Sequence, residues 1–284
     1  MEYLAPKSKA EALAIVSKWK EKGRLVAGGT NVVPDLRAKA NQPEALIDIS
    51  HLRNLSYIKE EKRRIRIGAL TTLSEIASSK IIQRYAPVLS EAARQIGNPL
   101  VRNRATIAGN LADASPAADT APPLLILEAL LAIEKGNGKA RQVPVHEFFT
   151  GPNRTVLKGD ELIREIIFPK PKPSARMAYT KFGLRNSMAI SVVSVAVLME
   201  TEQGLCKKAR LGLGAVSPTP IRAYGVEEML MGREIKEELI QQCCEKIQSE
   251  IHPITDIRAG LEYRKSMASV LLGRLLRQVA TRGG

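Results

Sequence analysis

The stretch Leu25-Val-Ala-Gly-Gly-Thr-Asn-Val-Val-Pro34 decides how this chain folds and what it can hold. Arg24 to Ala27 has the character of a short strand, and it runs into Gly28-Gly29-Thr30. Asn31 to Lys39 then opens as a helix, with Pro34 in its first turn. Two glycines between a strand and a helix start let the chain turn tightly and aim backbone N–H groups into one concavity, which makes a nest for phosphate oxygens. Alone the signal is thin, because a double glycine after a strand is more often only a turn.

A second segment strengthens it. Thr106-Ile-Ala-Gly-Asn110 again sets a small residue and a glycine after a short apolar segment, and Asp113, Ser115 and Asp119 follow. Two such loops suit the two ends of a pyrophosphate better than a single phosphate. Asp119 can then accept a hydrogen bond from a sugar hydroxyl. Asp119 reads equally as an early-helix acid complementing the dipole, and Asn110 equally as a loop residue bonded to its own backbone.

On either side of these loops the pattern alternates helix and strand. Ala10, Leu13, Ile15, Val16 and Trp19 form an apolar stripe, with Ser8 as N-cap and Glu11 closing a capping box. Ala45–Ile49 and Arg64–Ile67 are strands, and a helix follows from Ser74. Glu91 to Gly109 gives a helix and a loop holding Arg102, Asn103 and Arg104; Ser115-Pro116 starts an apolar helix running through Leu131. Ala132-Ile-Glu before Gly136-Asn-Gly138 is a strand and tight turn. Phe168 to Pro173 is the linker, since alternating proline blocks helix and sheet. Ala189–Glu200 and Ala209–Ala215 are buried strands, and two helices close the chain. The result is an α+β protein of two lobes joined near 170.

Composition narrows the function. The 284 residues carry 44% hydrophobic and 25% charged side chains, a balance that supports a core. Cys206, Cys243 and Cys244 are too few and too badly placed for a disulfide framework or a zinc or iron–sulfur site. No apolar run reaches membrane-span length, and the first residues lack a signal-peptide pattern, so a soluble cytoplasmic protein is expected. The net charge of +14 is spread as +8 over residues 1–170 and +6 over 171–284. Short basic knots at Lys62-Arg63-Arg64 and Lys207-Lys208 fall at hairpin turns. With aromatics at only 4%, nucleic-acid binding ranks low, and the charge is a solvated surface or faces an acidic partner. Neither a phosphate-loop lysine motif nor a complete G-x-G-x-x-G occurs. His51, His146 and His252 form no ligand or triad pattern, and Cys243-Cys244 sits on a helix in a packing role. No catalytic residue and no metal site are expected. A dinucleotide nest without acid–base apparatus points to a cofactor that brings its own chemistry.

With these residues assembled, the chain resembles the FAD-binding (medium) subunits of molybdenum hydroxylases, the xanthine dehydrogenase and carbon monoxide dehydrogenase family. The carrying segments are Leu25–Pro34, Ile96-Gly-Asn-Pro-Leu-Val-Arg-Asn-Arg-Ala-Thr-Ile-Ala-Gly-Asn110 and Asp113-Ala-Ser-Pro-Ala-Ala-Asp119. Further matches are Arg66–Thr72, Asp160-Glu-Leu-Ile163, Tyr179-Thr-Lys-Phe182, Gly214-Ala-Val-Ser-Pro-Thr-Pro220 and Thr255-Asp-Ile-Arg258 through Tyr263-Arg264. They run in order over nearly the whole chain.

The resemblance implies a two-subdomain FAD-binding fold of the vanillyl-alcohol-oxidase (PCMH) type in residues 1–172, with subdomains about 1–55 and 56–172, and a small C-terminal α+β domain over 173–284. It implies noncovalent FAD, with Leu25, Val26, Ala27, Gly28, Gly29, Thr30, Asn31 and Val32 along the pyrophosphate. Thr106, Ala108, Gly109 and Asn110 approach the same group, Asp119 takes the sugar-side acid's place, and Ile96, Ile163 and Lys181 fall at flavin or adenine contacts. Relatives of this kind carry Asp where Asn31 stands, and those that reduce NAD often have an acid near Met188, absent here. Residues 110–170 hold no Cys for an inserted cluster. The implied partners are a large molybdopterin-binding subunit and a small subunit with two-iron two-sulfur clusters; the flavin passes electrons on to NAD or another acceptor. The competing reading is a stand-alone flavin-dependent oxidoreductase on the same fold.

Overall fold

The computed structural model describes residues 1–39 and 42–281. The chain opens with β1 (Glu2–Leu4), α1 (Lys9–Trp19), β2 (Gly23–Val26), α2 (Val32–Arg37) and β3 (Ala45–Asp48). The strands form a parallel sheet in the order β1-β3-β2. Ala12, Leu13 and Val16 of α1 pack with Ile47 and Ile49. Ser8 caps α1 by accepting from the Glu11 N–H at 3.1 Å. The Glu11 carboxylate, however, accepts from the Lys7 N–H at 2.7 Å, one residue earlier than a capping box requires.

Next come β4 (Ile58–Glu60), β5 (Arg64–Gly68), α3 (Leu73–Ser78), α4 (Lys80–Tyr85), α5 (Pro87–Gln95), α6 (Pro99–Arg102), α7 (Ile107–Ala112) and α8 (Ala121–Ile126). They are followed by β6 (Leu130–Lys135), β7 (Ala140–Pro144), α9 (Val145–Phe148), the small hairpin β8 (Phe149–Gly151) with β9 (Arg154–Thr155), and β10 (Glu161–Pro169). A five-stranded sheet results, ordered β4-β5-β10-β6-β7. β10 lies between β5 and β6, and its apolar residues Ile163, Ile166 and Phe168 are buried in the core under the helices. A bulge between Ile163 and Glu165 interrupts its pairing with β6. The helix expected from Ser115 to Leu131 is reduced to α8. Pro122 and Pro123 lack the N–H that a helix interior uses, so the helix starts at Ala121, immediately before them. Leu130 and Leu131 belong to β6 instead.

The third sheet is β11 (Arg176–Phe182), β12 (Val193–Glu202), β13 (Leu205–Gly214) and β14 (Ile221–Arg222), antiparallel and in chain order. Three helices follow rather than two: α10 (Tyr224–Leu230), α11 (Glu237–Glu250) and α12 (Leu261–Thr281). Along β12, Ala196 and Leu198 enter the core shared with α8, whereas Val195, Val197 and Met199 enter a second core under α11 and α12. A strand buried on both faces needs an unbroken apolar run, which this stretch has. Phe168 and Pro169 lie within β10, leaving residues 170–175 as the connection to β11. Lys207 and Lys208 lie on β13, after a turn at Gln203-Gly204, because the hairpin is tighter than the charge pattern suggested.

Candidate functional site

The end of β2, the turn after β5, the start of α7 and the start of β10 enclose an open cavity of about 320 Å³. Leu25, Ala27, Gly28, Gly29, Thr30, Asn31 and Val32 line one side; Thr106, Ala108, Gly109 and Asn110 line another; of the other expected residues, Ile96 and Ile163 line it too. Segments some seventy residues apart in the chain are thus brought to one place.

Gly28 explains the close fit. A Cβ built on it would lie 1.9 Å from the Arg104 carbonyl oxygen, so any side chain would drive the two loops apart. Gly29 has φ +72°, a conformation that an L side chain adopts only at a cost. Ala108 stands where a second glycine was at issue, and it lies in the first turn of α7 with no positive φ, so its methyl is tolerated.

The two loops differ in what they offer. Among the described residues, the N–H groups of Gly28, Gly29, Thr30 and Asn31 have no protein acceptor. Those of the second loop are spent. Ile107 N–H donates to Thr71 O at 3.0 Å and Ala108 N–H to Ala69 O at 3.2 Å, while the Gly109 N–H is capped by Thr106 Oγ1 at 3.1 Å. The donor nest therefore comes from residues 28–31, and the second loop supplies a close wall.

Val26, Asp119 and Lys181 do not line this cavity. Val26 is in β2, its carbonyl accepting from Ile49 N–H at 2.9 Å. Asp119 is buried and gives its carboxylate to the protein: Lys181 Nζ donates to it at 2.7 Å, Tyr179 Oη at 3.2 Å, and Ser191 Oγ through a short bond. Two of these donors bind Oδ1 and one binds Oδ2, so the carboxylate is held mainly by the protein. Burial and the neighbouring carboxylate hold the Tyr179 phenol well above its ordinary range. Thr120 Oγ1 donates to Asn110 Oδ1 at 2.6 Å, which fixes Asn110 at the cavity wall.

Sequence reasoning missed several lining residues. Leu70 lies in the turn after β5 and Leu73 opens α3, Asp113 follows α7, and Glu161 and Leu162 adjoin Ile163; all but Leu73 stand inside the quoted motifs, without having been assigned to the site. Glu161 is a counter-ion, since Arg141 Nε and Nη2 donate to it at 3.0 and 2.8 Å and Lys158 N–H at 3.0 Å. Burial raises its pKa, but the Arg141 hydrogen bonds overrule this and leave it lowered. Arg24 also lines the cavity, paired with Asp35 at 2.6 Å. Among the described residues no cluster of His, Cys, Asp or Glu has the makings of a metal site, and no helix is long and apolar enough to cross a membrane.

A mixed helix-and-sheet scaffold with a glycine cradle, free amide donors and apolar walls defines a flavin-binding protein of two domains. Residues 1–171 match the family described as the FAD binding domain in molybdopterin dehydrogenase, and residues 178–279 match the CO dehydrogenase flavoprotein C-terminal domain. The chain belongs to the FAD subunits of the molybdenum hydroxylase family. It is 34% identical to the carbon monoxide dehydrogenase medium chain of Hydrogenophaga pseudoflava over 97% of this chain and 95% of that one. It is 30% identical to the nicotinate dehydrogenase FAD-subunit of Eubacterium barkeri, over 96% and 94%. A solved carbon monoxide dehydrogenase from Hydrogenophaga pseudoflava superposes with TM-score 0.95 at 34% identity, covering 99% of this chain and 98% of that one.

Proposed function

We propose that this chain is the electron-transfer subunit of a multi-subunit molybdenum hydroxylase. In this reading it works in the cytoplasm with a large molybdopterin-binding subunit and a small two-iron two-sulfur subunit, and NAD or another acceptor takes the electrons. The relatives named above support it, being chains or subunits of carbon monoxide and nicotinate dehydrogenases. We divide the chain at 172/173, and its first part near 55/56, in line with the change of sheet at those points.

The observation that carries the reading is the cradle: Gly28 packed against the Arg104 carbonyl, beside four N–H groups with no acceptor among the described residues. When bound, FAD would supply the redox chemistry that an electron-transfer subunit needs. The residues of this chain do the rest. The Gly28–Asn31 amides hold the pyrophosphate oxygens without bringing a side chain's bulk. Thr106, Ala108, Gly109 and Asn110 close the opposite wall. Leu25 would lie with those amides, Ile96 and Ile163 would give the cofactor an apolar wall, and Thr120, next to the buried Asp119–Lys181 pair, fixes Asn110 at that wall.

Titration of the purified chain with FAD, followed by flavin absorbance and then acid precipitation, tests this. One FAD per chain, released intact by acid, is expected, together with capture of the molybdenum and iron–sulfur subunits from the native complex. A chain that stays colourless in excess FAD overturns the reading.

A further inference from the structure

The hairpin of β8 and β9 reaches the cavity wall from outside and has no part in the function so far described. Its turn is Gly151-Pro-Asn-Arg154. Pro152 fixes its own φ, and Asn153 takes φ +55°, a left-handed conformation that asparagine tolerates better than most residues with a side chain. Asn153 is exposed, yet it is bonded twice to a segment forty residues back. Its backbone N–H donates to Ala114 O at 2.9 Å, and its Nδ2 donates to Asp113 O at 3.0 Å.

That segment is the end of α7, the helix whose Ala108, Gly109 and Asn110 wall the cavity. α7 has six residues, well below the length of about 12 at which a helix begins to hold itself in water. Its first turn is tied to the turn after β5 through the Ile107 and Ala108 amides. Its last turn closes with Asp113 N–H donating to Gly109 O and Ala114 N–H to Leu111 O, each at 3.0 Å. Ala114 is buried at φ +50°, which an alanine keeps only where its surroundings impose it. The two bonds from Asn153 do so, and Asp113 itself lines the cavity.

The hairpin is anchored well enough to act as a strut. Phe148 and Phe149 at its base are buried edge to face, with ring centroids 5.3 Å apart. Val156 N–H donates to Phe148 O at 3.0 Å, and Val156 O accepts from Arg141 Nη2 at 2.8 Å. The next residue, Leu157, enters the cavity wall.

We propose that Asn153 is a positioning residue of the flavin site. From the tip of the hairpin it fixes the C-terminal end of α7, and with it the wall that faces the Gly28–Asn31 amides. This role rests on the flavin reading above, whereas the grip on α7 is measurable without any cofactor.

Three variants of the full chain test it. Asn153→Gly keeps the left-handed backbone and the bond to Ala114 but loses the side-chain amide. Asn153→Asp sets a carboxylate oxygen against the Asp113 carbonyl. Asn137→Gly makes the same change in the exposed turn between β6 and β7 and serves as the control. Hydrogen exchange of residues 109–114 in the FAD-free chain should quicken in both Asn153 variants and not in the control. FAD affinity, measured by flavin absorbance titration, should weaken roughly fivefold in Asn153→Gly, the value of one hydrogen bond, and roughly tenfold in Asn153→Asp. The visible circular dichroism of the bound flavin, which reports the asymmetry of its surroundings, should change in both. A lower unfolding temperature with unchanged FAD affinity and flavin spectrum would make Asn153 a purely structural residue and overturn the role. So would an equal loss of affinity in Asn137→Gly, or unchanged exchange over 109–114. A chain that takes no FAD fails the flavin reading instead, and the exchange experiment then decides the grip on α7 by itself.

Discussion

The ammonium of Lys181 lies 2.7 Å from the carboxylate of Asp119, and both side chains are less than one-tenth exposed. Asp119 precedes α8 and Lys181 is on β11, so one buried ion pair ties the first part of the chain to the second. Removing one partner of such a pair leaves the other charge buried alone, at about 3–5 kcal/mol, whereas an apolar pair of similar volume is close to neutral. Asp119→Leu should therefore destabilise strongly, and Asp119→Leu with Lys181→Met should recover the part due to the lone charge, the Tyr179 and Ser191 hydroxyls still lacking their acceptor. Urea unfolding followed by circular dichroism measures the cycle, and additive losses would show that the two groups do not interact.

The adjacent glycines should fail differently. Gly29→Ala forces a side chain to φ +72°, at about 1–2 kcal/mol, without blocking the cavity. Gly28→Ala meets the Arg104 carbonyl and must move a loop. FAD affinity should fall far more in Gly28→Ala than in Gly29→Ala, with thermal unfolding measured beside it. Equal affinity in the two variants would mean the loops do not meet at Gly28.

Asp256 gives the chain an acid-sensitive element. Burial raises its carboxyl pKa, but the Arg258 N–H and the Arg264 guanidinium donate to it and bring it down to about 2. A carboxyl depressed in the folded state stabilises the fold above its unfolded pKa and loses that contribution as pH falls toward the folded value. The contribution, about 2 kcal/mol, is present at neutral pH and disappears between about pH 4 and 2. Asp256→Asn should lower stability at pH 7 and flatten its dependence in that window, read from unfolding midpoints at stepped pH.

The thiols should be silent in the native state. Cys206 and Cys243 are buried, and burial pushes Cys243 up to about 11 and raises Cys206 and Cys244 as well. Reaction needs the thiolate. Alkylation at pH 8 followed by mass spectrometry should label none of the three until denaturant is added. Rapid native labelling of Cys243 would show that α11 opens on the labelling timescale.

What the sequence disclosed was local. The Ser8 cap, the turn at Gly136–Gly138 and the strand–glycine–helix passage around Gly28 depend on neighbouring residues, and all three are found. The α8 error was local too: Pro122-Pro123 carried the correct answer, but the apolar run on either side outweighed it. Hidden instead was whatever depends on distant pairing. Asp119 meets Tyr179, Lys181 and Ser191, sixty or more residues away, so its early-helix position gave no hint that its oxygens were taken. The unequal supply of free amides in the two glycine loops is likewise invisible until the turn after β5 claims Ile107 and Ala108.

The apolar strand β12 divides its side chains between two cores, one under α8 and one under α11 and α12. Glu128, just past α8, reaches Arg210 and lies 3.6 Å from Arg222, at the opposite end of that helix from Asp119. A chain severed in the connection between β10 and β11 would thus yield two fragments with matching wounds: one missing the sheet that α8 rests on, the other baring the inner face of that sheet. Neither would be soluble by itself, and both together would reassemble, which makes residues 170–175 a natural place to split this protein into complementing halves.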